Sequence, residues 1–424
     1  MSKAPKHCIA LDTDFEESPW GQLFVDPVTG DTFDLRGVNV VHFGTDTVRQ
    51  LYRGSLHADI LSLFDAPGIV DFAGERWSAG RIGRDSGYQY RLQNADLGVI
   101  LLVKSFHAQP DVPGPHLKIE VSPHCIRSQS PSELQIMMNR LADAVLVGAE
   151  PQQAAVHVAL DVQGWVPPKD FESRLHCRSR RVRSYHGIDE VEFASTMAVY
   201  GRGESWLFGS PSGIQLAVYD KTAEAKVRDK LDYWRSVWCE SGYFQENTPV
   251  YRIEFRFHHS VVQQFAEGSV DHRTGEILHF NDYASLYDHL DGLWRYGCDA
   301  FRYLQRPGWF DPFWTLIGQQ AYPVVPPAVE YRRHYKTASG FSGKNVELLL
   351  GNFISCAARH RMSATQAWKA LKQLPFFDMI REHYVLKGKY LADLRRHVRD
   401  LLEERYIRSV SYTHLRAHET VLDL

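Results

Sequence analysis

The sequence predicts an α+β fold in which an antiparallel sheet carries helices on one face and is followed by an α-helical C-terminal region. Two observations predict it. From Arg36 to about Ser260, short segments alternate apolar and polar residues with the period of two of a half-buried strand, and helical spacing interrupts them only twice. Beyond about Gly268 the alternation gives way to helical periodicity. With 424 residues the chain has room for two or three compact units. Its 44% hydrophobic, 12% aromatic and 23% charged residues exclude a disordered or fibrous protein.

Taken in order, residues 1–35 read as an N-terminal extension, and Met1 to Gln22 lacks the apolar stretch of a signal peptide. Residues 36–268 form the strand-rich core. Its first helix is predicted over Ser130–Val147 with Ser132 as N-cap, and its second over Lys221–Cys239. Residues 269–330 read as a helical connector, with an aromatic-rich helix over Tyr283–Tyr303 and a linker-like break at Tyr322–Pro327. Residues 331–408 form the helical C-terminal region. Three helices are predicted over Asn345–Arg408, the second opened by Ser363 with Gln366 three residues on, a capping-box spacing. Residues 409–424, beginning SVSYTHLRAHET, resemble a translated sequencing adapter and are read as a non-native tail.

Charge and cysteine usage narrow the function classes. The 48 Lys and Arg against 51 Asp and Glu give −3, so nucleic acid can be held only by local patches. The longest apolar run, Leu97–Val103, is far shorter than the roughly 20 residues of a membrane helix. Six cysteines without a CxxC read as reduced thiols. The expectation is a cytoplasmic protein with no membrane partner.

Four predicted strands share one chemical face. In HLKIEV, His116, Lys118 and Glu120 oppose Leu117, Ile119 and Val121. In VHVALD, His157, Ala159 and Asp161 oppose Val156, Val158 and Leu160. In IQLAVY, Gln215, Ala217 and Tyr219 oppose Ile214, Leu216 and Val218, and in YRIEFRFH, Arg252, Glu254, Arg256 and His258 oppose Tyr251, Ile253, Phe255 and Phe257. A sheet with one solvated face would look the same. Yet Asp and Glu are poor strand formers, and a divalent metal held by carboxylate and imidazole would compensate their presence. A tyrosine on that face becomes a nucleophile once a base, cation or metal activates it.

The stretch MAVYGRGESWLFGSPSGIQLAVYDKTAE followed by YRIEFRF resembles the replication initiation factor family, the Rep_trans-type rolling-circle initiators of plasmids and filamentous phages. The residues that carry it are Tyr200-Gly201, Gly209-Ser210, Tyr219-Asp220-Lys221 with Glu224, and Arg252-Glu254-Arg256. It spans about residues 80–265 and implies a rolling-circle nuclease-like core. Members nick one strand at an origin, leaving a 5′-phosphotyrosine and a 3′-hydroxyl that primes replication, and later rejoin the strand. The resemblance implies Tyr219 as nucleophile, Lys221 and Arg252 as stabilisers of phosphate charge, and Glu254 and Asp161, with His116 or Glu120, as ligands of Mg²⁺ or Mn²⁺. Relatives carry Arg-x-Asp-x-x-x-Asp on the second strand, where this chain has Ala155 and His157 and keeps Asp161. The His-hydrophobe-His motif of other rolling-circle enzymes is also replaced, by His116-Leu117-Lys118.

DNA contacts are expected from Arg178, Arg180, Arg181 and Arg183 in RLHCRSRRVR, and from Arg332 and Arg333 in YRRHYKTASGFSGK, where aromatics alternate with cations. Asn345–Leu374 has the outline of a helix–turn–helix with Arg359-His360-Arg361 before the turn, although no glycine marks it; a bundle that only packs is the alternative. The expected partners are single-stranded or cruciform origin DNA, a host polymerase and a host helicase, the last because the chain has no GxxxxGK[ST] motif. One strand-end tyrosine suggests a homodimer or reuse of the same residue. A relaxase of a conjugative element and a non-catalytic DNA-binding regulator are the competing readings.

Overall fold

The structure is a computed structural model that describes residues 16–17, 22–83, 86–106, 108–177, 182–184, 205–325, 327, 329–333, 343–386 and 390–419. The chain divides into two compact units, Met1–His334 and Tyr335–Leu424.

The first unit opens with a small antiparallel sheet of β1 (Glu16–Glu17), β2 (Leu23–Val25) and β3 (Thr32–Asp34). The sheet that organises the unit takes β4 (Asn39–Leu56), β5 (Gly68–Phe72), β6 (Glu75–Arg81), β7 (Tyr88–Asn94), β8 (Val99–Ser105), β9 (Gly114–Val121) and β10 (Leu146–Gln163). The short β11 (Leu175–Cys177) leaves it, and β12 (Val182–Ser184), β13 (Trp206–Gly209), β14 (Ile214–Asp220) and β15 (Tyr251–Phe257) complete it. Among the described residues its eleven strands run in the order β12-β13-β14-β15-β10-β4-β9-β8-β7-β6-β5, every pair antiparallel. A mixed α+β fold with a large antiparallel sheet is therefore what the alternation encodes.

The predicted apolar faces do line the core: Leu117, Ile119, Val156, Val158, Leu160, Leu216, Val218, Ile253 and Phe255 are fully buried. On that face lie α1 (Pro123–Arg127), α2 (Pro131–Val145) and α3 (Phe171–Arg174), together with later helices. Helix α2 starts at Ser130, not at Ser132. Pro131 occupies the first helical position, and Ser130 and Glu133 exchange hydrogen bonds in a capping box. The helix predicted over Lys221–Cys239 is two, α4 (Lys221–Val227) and α5 (Leu231–Cys239), because Asp229 turns the chain at φ +53°.

Residues 269–330 belong to the first core and are not a connector. After α6 (His259–Gly268) and β16 (Val270–Asp271), α7 (Tyr283–Tyr287) and α8 (Leu290–Ala300) bury Tyr283, Leu286, Leu290, Leu293 and Trp294 in it. Helix α8 lies so close to the sheet that a Cβ on Gly297 would stand 2.7 Å from the Phe255 ring. The helix predicted to reach Tyr303 ends at Ala300, and Phe301 opens β17 (Phe301–Arg306), which pairs with β11 and β18 (Trp309–Phe310). Then follow α9 (Pro312–Gly318) and β19 (Val329–Glu330), the latter paired with β16. Tyr322, in the predicted linker, is buried with its hydroxyl on Thr45 at 2.8 Å.

Among the described residues the second unit has four helices where three were predicted: α10 (Gly343–Arg359), α11 (Ala364–Lys372), α12 (Phe377–Leu386) and α13 (Leu391–Glu419). It has its own core, built on Val346, Leu350, Ile354, Trp368, Leu371, Ile380, Leu394 and Leu402. The Ser363–Gln366 capping box is present at the start of α11. Helix α13 continues through residues 409–419 of the predicted tail, and residues 420–424 lie outside the described ones. Among the described residues no helix is long and apolar enough to cross a membrane.

Ser130→Ala removes an acceptor that holds the first turn of α2 and is expected to lower stability by about 1 kcal/mol, read as a shifted urea unfolding midpoint.

Candidate active site

The polar face of the central strands is built by register. Across β14–β15–β10–β4 the pairs Tyr219–Arg252, Arg252–Asp161 and Asp161–His42 stand in one row, and Ala217–Glu254, Glu254–Ala159 and Ala159–Gly44 in the next. The pairing then slips: His157 faces Thr47 while Val158 faces Thr45, so β4 carries one extra residue, Asp46. This bulge exchanges the two faces of β4. Below it His42 and Gly44 share the polar face, above it Thr47 and Arg49 do, and Asp46 is turned in among Glu254, His157 and Arg252.

Glu254 is the hub. Its Oε2 accepts the Tyr219 hydroxyl at 3.1 Å, and its Oε1 accepts Arg256 Nε at 2.7 Å and meets His157 Nδ1 at 3.0 Å. Asp46, His157 and Glu254 each offer a ligand atom within 4.8 Å of the others. Beside them Arg252, fully buried, gives Nε and Nη2 to the two oxygens of Asp161 at 2.6 and 2.8 Å and Nη1 to Asp46. Helix α5 caps this end of the face: Trp238 Nε1 donates to Asp161 at 2.8 Å, and the Trp234 ring lies between Arg252 (4.2 Å) and the Lys221 ammonium (4.6 Å). The polar face is thus covered in part by α4 and α5. Helices stand on both sides of the sheet, not one: Ala225 of α4 and Trp234, Val237 and Trp238 of α5 form an apolar cluster of their own with Val41 and Val250, and its indoles cover the Arg252–Asp161 pair.

Electrostatics follow from burial. Tyr219 is 8% exposed. Burial, and then the Glu254 charge, raise its pKa well above the usual phenol value, so the resting side chain is a protonated phenol. Burial would raise Glu254 and Asp46 too. Arg256 and His157 outweigh it at Glu254 and Arg252 at Asp46, and both carboxylates stay ionised. Asp161 is held ionised by Arg252 in the same way. Burial brings His157 down to about 4, which leaves a neutral imidazole able to bind a cation. Asp46, Asp161 and Glu254 outnumber by one the two guanidiniums that pair with them, Arg252 and Arg256, while the buried Lys221 is paired with Glu224. Two carboxylates and a neutral imidazole therefore fit a divalent cation such as Mn²⁺ or Mg²⁺.

The predicted site residues separate. Tyr219, Lys221, Arg252 and Glu254 come together. Lys221 heads α4 next to Asp220, whose carboxylate caps that helix, and its ammonium bonds Glu224 at 2.7 Å. The predicted role of Arg252 on phosphate charge meets a guanidinium that is spent on Asp161 and Asp46. The predicted ligands Asp161, His116 and Glu120 are likewise occupied elsewhere. Asp161 is held by Arg252 and Trp238. Glu120 lies beyond β4, against Lys118 at 2.9 Å and Arg49 at 3.4 Å. His116 is fully buried, its Nε2 on the carbonyls of Gln109 and Val112. Asp46 and His157 stand beside Glu254 instead. His157 was visible as the residue standing where the replication initiation factor pattern, which the sequence resembles, has Asp. Asp46 was missed because one inserted residue breaks the alternation; the spaced polar residues His42 and Asp46 around Gly44 were the available signal.

Of the DNA-contact candidates, Arg178, Arg180 and Arg181 lie outside the described residues, as do Tyr200 and Gly201, and Arg183 lies on β12. Arg332 is exposed with its backbone on Ser269, and Arg333 bonds Gln264.

Over 425 residues the chain is 51% identical to the uncharacterized protein ORF430 of Pseudomonas phage Pf1, a match that covers 96% of this chain and 99% of the phage protein. No model of a protein family matches the chain. No solved structure matches it either.

Asp161→Ala strands Arg252 in a buried site beside Asp46 alone and is expected to cost about 3–5 kcal/mol in urea unfolding. Burial also lowers His42 to about 4. His42 and His157 are neutral when folded but take up protons on unfolding below about 6.5, so stability is expected to fall as pH drops from about 6.5 to about 4. Thermal melts across that window check the slope, which His42→Phe should flatten.

Proposed function

The chain belongs to the family of the Pf1 phage protein ORF430, and from that premise we propose that it nicks and rejoins one strand of DNA through Tyr219, as a rolling-circle replication initiator does. The observation that carries this reading is the hydrogen bond from the Tyr219 hydroxyl to Glu254, the carboxylate that also meets His157 beside Asp46. A strand tyrosine kept for packing alone has no need of a buried carboxylate linked to two further ligand groups.

In the proposed reaction the phenol oxygen attacks the scissile phosphorus and the phenolic proton passes to Glu254 Oε2. The bond from phosphorus to the 3′ oxygen breaks, and the leaving 3′ alkoxide takes up a proton to become a free hydroxyl. The 5′ phosphate stays on Tyr219, so the reverse attack by a 3′-hydroxyl reseals a strand. Asp46, His157 and Glu254 would hold Mg²⁺ or Mn²⁺, which supplies Lewis-acid polarisation of a phosphate oxygen when bound. Lys221 stands 5.8 Å from the Tyr219 ring centre and stabilises negative charge growing on the phosphate. Arg252 acts through Asp46, fixing that carboxylate towards His157 and Glu254. In the resting protein a buried, protonated phenol is a poor nucleophile, which keeps the site idle until a phosphate and a cation reach it.

The test is cleavage of single-stranded DNA from the parent element in Mn²⁺ and in EDTA, with products run on a denaturing gel. A covalent protein–DNA band that needs the metal and is lost in Tyr219→Phe is the expected result. Tyr219→Phe protein that still yields the adduct would exclude Tyr219 as nucleophile. A shifted complex with no adduct from the parent protein would favour a DNA-binding regulator on this fold. His157→Ala and Asp46→Asn are each expected to raise the Mn²⁺ concentration for half-maximal adduct by about 10-fold or more.

A further inference from the structure

Charge is divided unevenly between the two units. Residues 335–424 hold 15 Lys and Arg against 9 Asp and Glu, a balance of +6. The remaining 33 and 42 leave residues 1–334 at −9. Such an asymmetry marks a part of a chain suited to a polyanion.

Within the second unit the positive charge gathers on one helical hairpin. Residues 348–377, between Glu347 and Asp378, contain no carboxylate side chain. They carry Arg359, His360, Arg361, Lys369 and Lys372, all exposed. Elsewhere in the unit Arg381, Arg396 and Arg399 pair with Asp378, Asp393 and Asp400, and Arg405 bonds Gly351 and Ser355. Arg359, Arg361, Lys369 and Lys372 form no ion pair among the described residues.

The hairpin is also rigidly built. Helix α10 ends at Arg359, Arg361 then turns the chain at φ +53°, and the Met362 amide returns to the Ala357 carbonyl at 3.0 Å. Glycine is the least costly residue there, yet an arginine occupies it. The capping box then starts α11, which buries Ala367, Trp368 and Leu371 and turns Thr365, Gln366, Lys369, Lys372 and Gln373 outward.

We infer that the α10–α11 hairpin is a second nucleic-acid surface, and that its partner is duplex DNA. Arg359, Arg361, Lys369 and Lys372 meet backbone phosphates, and the outward face of α11 lies against a groove with Thr365, Gln366 and Gln373 as its uncharged hydrogen-bonding groups. Single strands are held by stacking on exposed rings, and the aromatic of this helix, Trp368, is buried. A membrane surface needs an apolar outward face, which α11 lacks. The inference extends the reading of the chain as a DNA-processing protein but stands on the charge distribution of the second unit, not on Tyr219.

The experiment uses the full chain in EDTA, so that no metal-dependent cleavage intervenes, and titrates a short labelled duplex across a salt series by fluorescence anisotropy. Lys369→Glu/Lys372→Glu is expected to weaken duplex binding by about 10-fold or more and to lower the slope of log K against log salt by about 2. Lys369→Arg/Lys372→Arg should keep the parent affinity, and adduct formation on single-stranded DNA in Mn²⁺ should be unchanged in both variants. Equal duplex affinity and slope in the charge-reversed variant would overturn the inference, as would an equal loss on a single strand of the same length. If no protein forms the adduct but duplex binding still depends on the two lysines, the Tyr219 reaction falls and the hairpin surface stands.

Discussion

The arrangement of the site depends on one buried ion network, Asp161–Arg252–Asp46. A guanidinium with no solvent contact costs several kcal/mol to desolvate unless its donors are all met. Here five features converge on it: two oxygens of Asp161, one of Asp46, the Trp234 ring, and the indole of Trp238 that holds Asp161 in place. Because Arg252 links β15 to β10 and to the bulge of β4, the same network fixes the strand register that sets Glu254 beside His157.

The groups of the site are consequently held closely by one another. Glu254 shares its two oxygens among a phenol, an imidazole and the Arg256 guanidinium, while burial keeps the phenol protonated and the imidazole neutral. The surplus negative charge is local, so the field that favours a cation is confined to the few ångströms around Asp46, His157 and Glu254. Lys221 is held apart from this cluster by Glu224 and by the Trp234 ring, close to the tyrosine but off the carboxylates. A motif such as Tyr-Asp-Lys-x-x-Glu therefore joins two demands: Asp220 and Glu224 organise the first turn of α4, and that turn places Lys221 beside Tyr219.

Much of the fold was legible because strand alternation is a local property. The apolar halves of HLKIEV, VHVALD, IQLAVY and YRIEFRF could bury only by sharing one side of a sheet, and the Ser363 cap followed from side-chain chemistry within four residues. Boundaries that rest on one residue were less legible. The left-handed turn at Asp229 divides a helix, and Ser130 in place of Ser132 caps α2 because Pro131 fills the first helical position. The connector was misjudged for another reason: aromatic-rich helices read alike whether they bridge units or close a core, and only the contact of Gly297 with Phe255 shows which.

The sequence by itself determined that Tyr219, Arg252, Glu254 and His157 share a face, since parity along a strand leaves no other choice once the opposite face is buried. Which of those groups touch was decided by tertiary structure. Lateral pairing joins strands about a hundred residues apart, and the bulge at Asp46 reverses a parity that sequence alone would continue. That reversal brings Asp46 of β4 beside His157 and Glu254. The reach of Arg252 towards Asp161 keeps that carboxylate apart from Glu254 and His157, because a buried guanidinium must be neutralised before any weaker demand is met.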